Sequence, residues 1–249
     1  MMTTARMLRS ICLSLLTPGL THAFAQANWP EIPLPEHARS YHIGQQMDLD
    51  GLPMRLTGFA TRSTPRQTGD WFVRTLGQPL MDDQRDGQRI LGRAQGEHYL
   101  TIRLEPAPDG GTRGLVAVTH LRAALSGKAR SQGERARWRR LLPAGTEIAS
   151  LLNTQDGGQL STHLVATNRH GEALNAQRLT AALQEQGYAL ERRFDAATDT
   201  KAHAFGSETG AITVLMRGPG KEATAVISRN ALGLTSIVLV TSVAVETAP

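Results

Sequence analysis

The chain has 249 residues, of which 40% are hydrophobic and 20% are charged, and its formal net charge is +5. This balance is ordinary for a globular protein and excludes wholesale disorder. Aromatic residues make up only 4% of the chain, which argues against nucleic-acid recognition by base stacking. The single cysteine, Cys12, lies close to the N-terminus. The rest of the chain therefore has neither disulfides nor thiolate chemistry.

Residues 1–27 have the pattern of a cleavable secretory signal peptide. Arg6 and Arg9 precede a short apolar run over residues 11–16, and small residues follow around Ala25. The apolar run is far shorter than the roughly 20 residues needed to cross a bilayer. We therefore predict removal of this segment and export to a bacterial periplasm, in preference to a retained anchor.

Residues 28–40 are predicted to form an extended, proline-rich lead-in, because three prolines within it prevent helix formation. A first module follows over residues 41–125. Its strands at 41–47 and 52–60 flank Asp50-Gly51, a dipeptide suited to a tight hairpin. A helix then begins at Thr64 as N-cap, with Thr68, Phe72 and Leu76 on one face, and ends at Gly77. The segment LGRAQGEHYLTIR at 91–103 supplies an alternating strand.

A second module, over residues 146–249, repeats these signals in the same order. Strands at 147–152 and 160–166 flank a glycine turn at 156–158, and a helix with Leu179 on its apolar face stops at Gly187. The segment FGSETGAITVLMR at 205–217 has the glycine spacing of 91–103, so the two segments are predicted to be equivalent.

These signals predict an α+β protein of two tandem β-β-α-β-β-β modules, each an antiparallel sheet with one helix on a face. The alternative is a chance similarity of turn residues. The second module has an additional β-branched strand at 235–245. That strand is either a sheet edge able to pair with a partner strand or, as we prefer, an internal strand.

Between the modules lies a basic hinge at residues 126–145, within which a short helix is predicted at 131–142, ended by Pro143. The hinge is a candidate contact for an anionic membrane surface, a polysaccharide or an acidic protein. The alternative is a solvated connector whose tryptophan packs on a neighbouring module. The candidate contact residues are Lys128, Arg130, Arg135, Arg137, Trp138, Arg139 and Arg140.

Catalytic motifs are missing from the sequence. The eight histidines include no helical zincin pair, and neither a serine nucleophile elbow nor a phosphate-binding loop is present. We expect the histidines to be sheet or surface residues, although the sequence leaves open a zinc site assembled across strands. Asp82, Asp83 and Asp86 are predicted to lie in a polar loop. No cofactor or metal is expected.

The sequence therefore favours a non-enzymatic, exported envelope protein that acts as an adaptor or assembly factor, with a secretion or surface-appendage system as its setting. An envelope protein is the expected partner, and nucleic acid is not. The alternative is a periplasmic small-ligand or anion binder, or an enzyme, with its site between the two modules. Arg103 and Arg217 would then converge on the ligand, whereas exposed sheet arginines are the simpler interpretation.

Overall fold

A computed structural model of the protein describes residues 29–108, 110–195 and 210–245, so the predicted signal peptide lies outside the described residues. The described residues form twelve strands and three helices. The strands are β1 (Arg39–Leu49), β2 (Leu52–Thr61), β3 (Met81–Arg85), β4 (Gln88–Gln95), β5 (His98–Pro106), β6 (Thr112–His120), β7 (Glu147–Asp156), β8 (Gln159–Asn168), β9 (Ala189–Asp195), β10 (Ile212–Gly218), β11 (Lys221–Arg229) and β12 (Thr235–Ala244). The helices are α1 (Pro65–Leu76), α2 (Leu121–Leu141) and α3 (Glu172–Glu185). No helix in the described ranges is long and apolar enough to cross a membrane.

All twelve strands belong to one antiparallel sheet, in the order β3-β4-β5-β6-β2-β1-β7-β8-β12-β11-β10-β9. Its two halves meet where residues 46–49 of β1 pair with residues 152–155 of β7. The prediction of an α+β fold with antiparallel strands is confirmed. The expectation of a separate sheet for each module is wrong, because the edges of β1 and β7 satisfy each other's backbone groups and make the sheet continuous.

The two outermost strands were not predicted. The cluster of Asp82 and Asp83 lies in β3 rather than in a polar loop, and β9 occupies the opposite edge. Every residue of β3 is exposed, as are the first five of β9. An edge strand without a buried face shows no alternation of apolar residues, so the sequence carries no signal for it.

The predicted equivalence of LGRAQGEHYLTIR and FGSETGAITVLMR is also wrong by one strand. The first segment spans β4 and β5, which meet at the turn around Gly96, whereas the described part of the second contains β10. Counted outward from the centre of the sheet, β5 is the fourth strand of its half and β10 is the fifth of the other. The glycine spacing matched because both segments enter a strand from a turn. Residues 205–209 lie outside the described ranges.

The predicted turn and cap residues are confirmed. Asp50 and Gly51 both have positive φ, at 55° and 85°, as a tight hairpin requires. Thr64 caps α1 through a reciprocal capping box with Gln67. Gly77 follows α1 with φ of 69°, a conformation that other residues rarely adopt.

The three helices lie on one face of the sheet and cover two apolar clusters. In the first, Phe72 of α1 packs with Phe59 and Ile102, and the lead-in contributes Trp29 and Ile32. Residues 29–35 of the lead-in form neither helix nor strand, and the lead-in covers part of the core.

The second cluster joins α3, through Leu179 and Leu183, to Leu164 and Ile237, with Trp138 of α2 partly buried against it. Strand β12 is internal, because it pairs with β8 on one side and with β11 on the other. The preferred prediction for residues 235–245 is thus confirmed, and β12 cannot accept a partner strand.

Candidate functional site

Helix α2 extends five residues further toward the N-terminus than the hinge does, and its 21 residues span about 31 Å. Helix α2 follows β6 without a connecting loop. The backbone N–H of its first residue, Leu121, donates to the carbonyl of Glu97 at 2.9 Å. Arg139 and Arg140 occupy the last turn, where positive charge stabilises the helix dipole. The predicted hinge is therefore a regular helix that packs on the sheet.

One side of α2 is fixed to the hairpin between β1 and β2. The backbones of Gly127 and Gly51 touch, because a Cβ on Gly127 would lie 2.1 Å from the carbonyl oxygen of Gly51. Arg130 forms an ion pair of 3.2 Å with Asp48. The buried side chain of Ser131 lies against Gly51 on the same side of the helix.

Further along α2, Arg135 donates to Asp50 through Nε at 3.1 Å and to the carbonyl of Ile148 at 2.6 Å. Glu134 accepts a hydrogen bond of 2.9 Å from the Asn153 side chain. The only acidic residue of the helix thus faces the sheet rather than the solvent.

The opposite side of α2 carries exposed cations. Within the described residues, four of them form no salt bridge, and we call these four the cationic face of α2: Lys128, Arg137, Arg139 and Arg140. Arg137 lies near Tyr188, where its positive charge opposes the rise in the pKa of that phenol caused by burial. Of the seven predicted contact residues, Arg130, Arg135 and Trp138 are thus engaged within the protein.

A groove of about 660 Å³ lies beside the start of α2, lined by the lead-in and by the ends of β5 and β6. His98 and His120 are paired across these strands, and their rings stack with centroids 4.7 Å apart. Trp29 packs against His98 at 5.2 Å, and the guanidinium of Arg55 lies 4.8 Å from the centroid of the tryptophan ring. The sequence did not indicate this cluster, because neither strand alone reveals the pairing register of β5 and β6.

The two histidines have different surroundings. His98 is only 8% exposed, and its Nε2 has no hydrogen-bond partner. Burial and the adjacent His120 lower the pKa of His98, although Glu97 acts in the opposite direction. His120 Nε2 lies 3.4 Å from a carboxylate oxygen of Glu97, whose other oxygen binds Arg122 at 2.7 Å. The site therefore disfavours the charged form of His98.

A second, smaller groove of about 460 Å³ lies between α1 and the β3 edge. Arg89 crosses it and binds Asp70 at 2.8 Å and Asp82 at 2.7 Å. This contact with Arg89 lowers the pKa of Asp82. The acidic cluster therefore helps to attach α1 to the sheet. Nowhere in residues 29–108, 110–195 and 210–245 do three or more potential ligands form a metal-binding group.

Arg103 and Arg217 both lie on the face of the sheet opposite the helices, as the alternation along β5 and β10 shows. Eight strand intervals separate β5 from β10, which corresponds to about 38 Å across the sheet. Arg217 lies 3.6 Å from Glu191 of the neighbouring strand. The structure places the two arginines far apart in the sheet order, on opposite halves.

Comparison with protein-family models, with curated proteins and with solved structures finds no match to this chain.

Proposed function

We propose that the protein is a non-enzymatic, exported envelope protein that acts as an adaptor or assembly factor and binds an acidic partner protein through the cationic face of α2. A secretion or surface-appendage system is the setting we propose for it. One observation carries the proposal. Four exposed cations of α2 form no ion pair within the described residues and lie on one side of the helix, while its other side is fixed to the β1–β2 hairpin.

The way α2 is held supports a binding role. Its attachment to the β1–β2 hairpin, through the glycine contact and Arg135, orders the helix before any partner arrives. A preformed surface avoids the ordering cost that a flexible basic linker would incur on binding. The positive charges also accelerate encounter with a negatively charged surface.

The composition of the cationic face favours a protein over a bilayer. Trp138 and Leu142 of the hinge pack against the second apolar cluster. The exposed side of the helix has Ser126, Ala129 and Gly133 between its charges. A helix that lies in a membrane interface needs an exposed apolar face to insert, so an anionic membrane or a polysaccharide would be bound by charge alone.

We also infer that the chain arose as two tandem modules, related by an approximate twofold axis between β1 and β7. Read outward from that junction, one half runs β1, β2, β6, β5, β4, β3 and the other runs β7, β8, β12, β11, β10, β9. A helix follows the second strand of each half. The same connection order in both halves supports the inference.

Hydrogen bonds at corresponding positions give further support. Thr112, the first residue of β6, donates its hydroxyl to the Ser63 carbonyl at 2.7 Å. Thr235, the first residue of β12, donates to the His170 carbonyl at 2.6 Å. Both accepting carbonyls lie just before the helix of their half.

The segments that enter the two halves also correspond. Leu34-Pro35 and Leu142-Pro143 are each followed by a turn in which the proline carbonyl accepts a backbone hydrogen bond from the third residue after it, Ala38 or Thr146. A residue of positive φ, His37 or Gly145, precedes the donor in each turn. Chance similarity of glycine turns would not be expected to reproduce these connections.

The proposal is tested by crosslinking the tagged mature protein in intact cell envelopes and identifying the proteins that copurify. The test variant changes Lys128, Arg137, Arg139 and Arg140 to glutamate. Arg135 is left intact, because its loss would weaken the attachment of α2 to the β1–β2 hairpin. We expect the wild-type protein to capture a specific acidic envelope protein and the variant to lose it.

A matched control changes three exposed arginines on the other two helices, Arg66, Arg74 and Arg178, to glutamate. This control should keep the partner, since it makes a charge change of comparable size, three reversals against four, at other positions. Capture that persists after reversal of the cationic face contradicts the proposal. Loss of capture together with unchanged binding to anionic lipid vesicles excludes the membrane as the ligand.

A further inference from the structure

The face of the sheet opposite the helices, which we call the open face, has an apolar centre. On the second half, Val226, Val238 and Val165 pair directly across three adjacent strands and form a continuous row. Val226 and Val238 are 38% and 44% exposed. Leu152 of β7, nearer the junction of the halves, is on the same face and pairs with His163, two residues before Val165 in β8. Isolated exposed valines would need no explanation, but a row shared by neighbouring strands does.

The apolar region continues across the junction into the first half. Leu49 of β1 and Leu52 of β2 continue the row of Leu152, and Met54 and Leu56 lie further along β2 on the same face. Tyr41, which is 50% exposed, lies over Gly58 on the same face, where a Cβ would be 2.3 Å from its ring. The described residues of the helices all lie on the other face, so no described element covers this one.

Charged residues stand at the margins of the open face rather than at its centre. Arg113 pairs with Glu105 at 3.6 Å on the first half, and Arg217 pairs with Glu191 on the second. Serine and threonine fill most of the central positions between the apolar residues, and Ser161 and Ser242 hydrogen-bond to each other at 3.0 Å. A centre depleted of charge with a charged rim is one feature of protein interfaces.

The size of the open face lies at the lower limit for a specific protein contact. Its apolar part spans the seven strands from β6 to β11, or about 29 Å at the usual strand spacing. Six residues along each strand add about 20 Å, so the flat area is about 600 Å². Each partner in a standard interface contributes about 600–1,000 Å², so the open face reaches the lower end of that range. A small ligand would need a concave pocket instead of so broad a face.

We propose that the open face binds the open face of a second copy of this chain and forms a symmetric dimer. Two sheets pack face to face about 10 Å apart, with their side chains interleaved. In a twofold contact both copies contribute the same surface, and the open face can meet its own copy without placing like charges opposite each other at its centre. The cationic faces of α2 would then lie on the two outer sides of the dimer, free to bind partners.

The first test is sedimentation velocity of the mature protein over a range of concentrations, alone and with Val238→Glu. Val238 is exposed, so the substitution leaves the folded monomer intact, yet it would place a charge inside the dimer contact. We expect a concentration-dependent dimer whose Kd rises by more than about tenfold in the variant. Val226→Glu, one strand away, should act in the same way.

The control is Leu174→Glu on the outer side of α3, where the leucine is 48% exposed. It adds the same charge at similar exposure, so its dimer should be unchanged. A wild-type protein that stays monomeric at its highest soluble concentration overturns the proposal, as does a dimer that Val238→Glu leaves intact. If a different envelope protein covers the open face, the purified chain will be monomeric.

A crosslink provides an independent test. Thr154 lies beside the junction of β1 and β7, at the centre of the open face, where a twofold contact brings each residue near its own copy. The mature chain has no cysteine, so Thr154→Cys supplies a unique thiol. A short bis-maleimide should crosslink this variant into dimers and leave Arg137→Cys, on the exposed side of α2, monomeric. The reverse pattern contradicts a contact through the open face.

Discussion

Arg135 of α2 and Asp50 of the β1–β2 hairpin join elements that are 85 residues apart in the chain, with Arg135 Nε 3.1 Å from Asp50 Oδ1. The same carboxylate oxygen accepts the backbone N–H of Leu151 on β7 at 3.1 Å. One carboxylate therefore connects a hairpin of the first half, a strand of the second half and the helix between them. This contact explains why a sequence with the composition of a linker forms part of the folded structure.

Replacing Arg135 by alanine should destabilise the protein. The change removes a charged hydrogen-bonding group that is 21% exposed and leaves Asp50 and the Ile148 carbonyl without it. Allowing for solvent screening, we expect a loss of about 1–2 kcal/mol in the free energy of unfolding. Arg137→Ala, two residues away and exposed, should change it by less than about 0.5 kcal/mol. Urea unfolding of both variants checks the difference, and equal effects would contradict the docking role of Arg135.

Two glycines of α2 should respond oppositely to alanine. Gly127 touches the backbone of Gly51, so Gly127→Ala must push the helix away and cost about 1–3 kcal/mol. No atom lies within 4 Å of the Cβ position of Gly133. Gly133→Ala should therefore raise the stability by about 0.5–1 kcal/mol through helix propensity. Thermal unfolding distinguishes the two, and a stabilising Gly127→Ala would show that α2 does not require this close approach.

Sequence reasoning succeeded where the structure depends on local chemistry. Asp50-Gly51, the Thr64 cap and Gly77 were identified correctly, because turns and caps require particular residues. It failed for β3 and β9, whose conformation comes from pairing at the sheet edge and not from a buried face. The joining of β1 to β7 was equally hidden, since Gln46 and Asp48 give no sign of a second strand beside them.

The candidate sites likewise combine features that the sequence shows locally with features that depend on distant contacts. The basic residues of the hinge were visible in the sequence, but their separation into docked and exposed sets depends on which side of α2 meets the β1–β2 hairpin. Arg135 and Arg137 are indistinguishable by composition, yet one binds Asp50 and the other is exposed. His98 and His120 become a pair only through the register of β5 and β6. Contacts of long sequence separation carry this information, and single-sequence patterns do not contain it.

Acid should weaken the first half of the protein through His98. Burial and the adjacent His120 hold the pKa of His98 below its ordinary value of 6.5, so the unfolded chain takes up a proton at higher pH than the folded one. The stability linked to His98 is therefore fully present above about pH 6.5 and is lost as the pH falls toward the lowered pKa. Glu97 favours the charged form of His98, but burial and His120 outweigh it, and the cationic Arg55 beyond Trp29 supplies no negative charge.

The measurement is the Tm at a series of pH values between 7.5 and 5. His98→Phe keeps an aromatic ring beside Trp29 and His120 but removes the proton-binding nitrogen, so its Tm should fall less steeply with acid than that of the wild-type protein. His42→Gln, at an exposed position of β1, is the control and should retain the wild-type slope. Equal slopes for the His98→Phe and wild-type proteins would contradict the assignment.

The hydroxyls of Thr112 and Thr235 should contribute similarly to stability if the two halves are equivalent modules. Both residues are fully buried, and each donates to the carbonyl that precedes the helix of its half. Valine preserves the shape of threonine but removes the donor, so Thr112→Val and Thr235→Val should each cost about 1–2 kcal/mol in chemical unfolding. The positions are far apart, and the double variant should therefore lose the sum of the two. A large loss at one position with none at the other would count against the inferred duplication, since it would mean that only one half uses this bond to hold its helix.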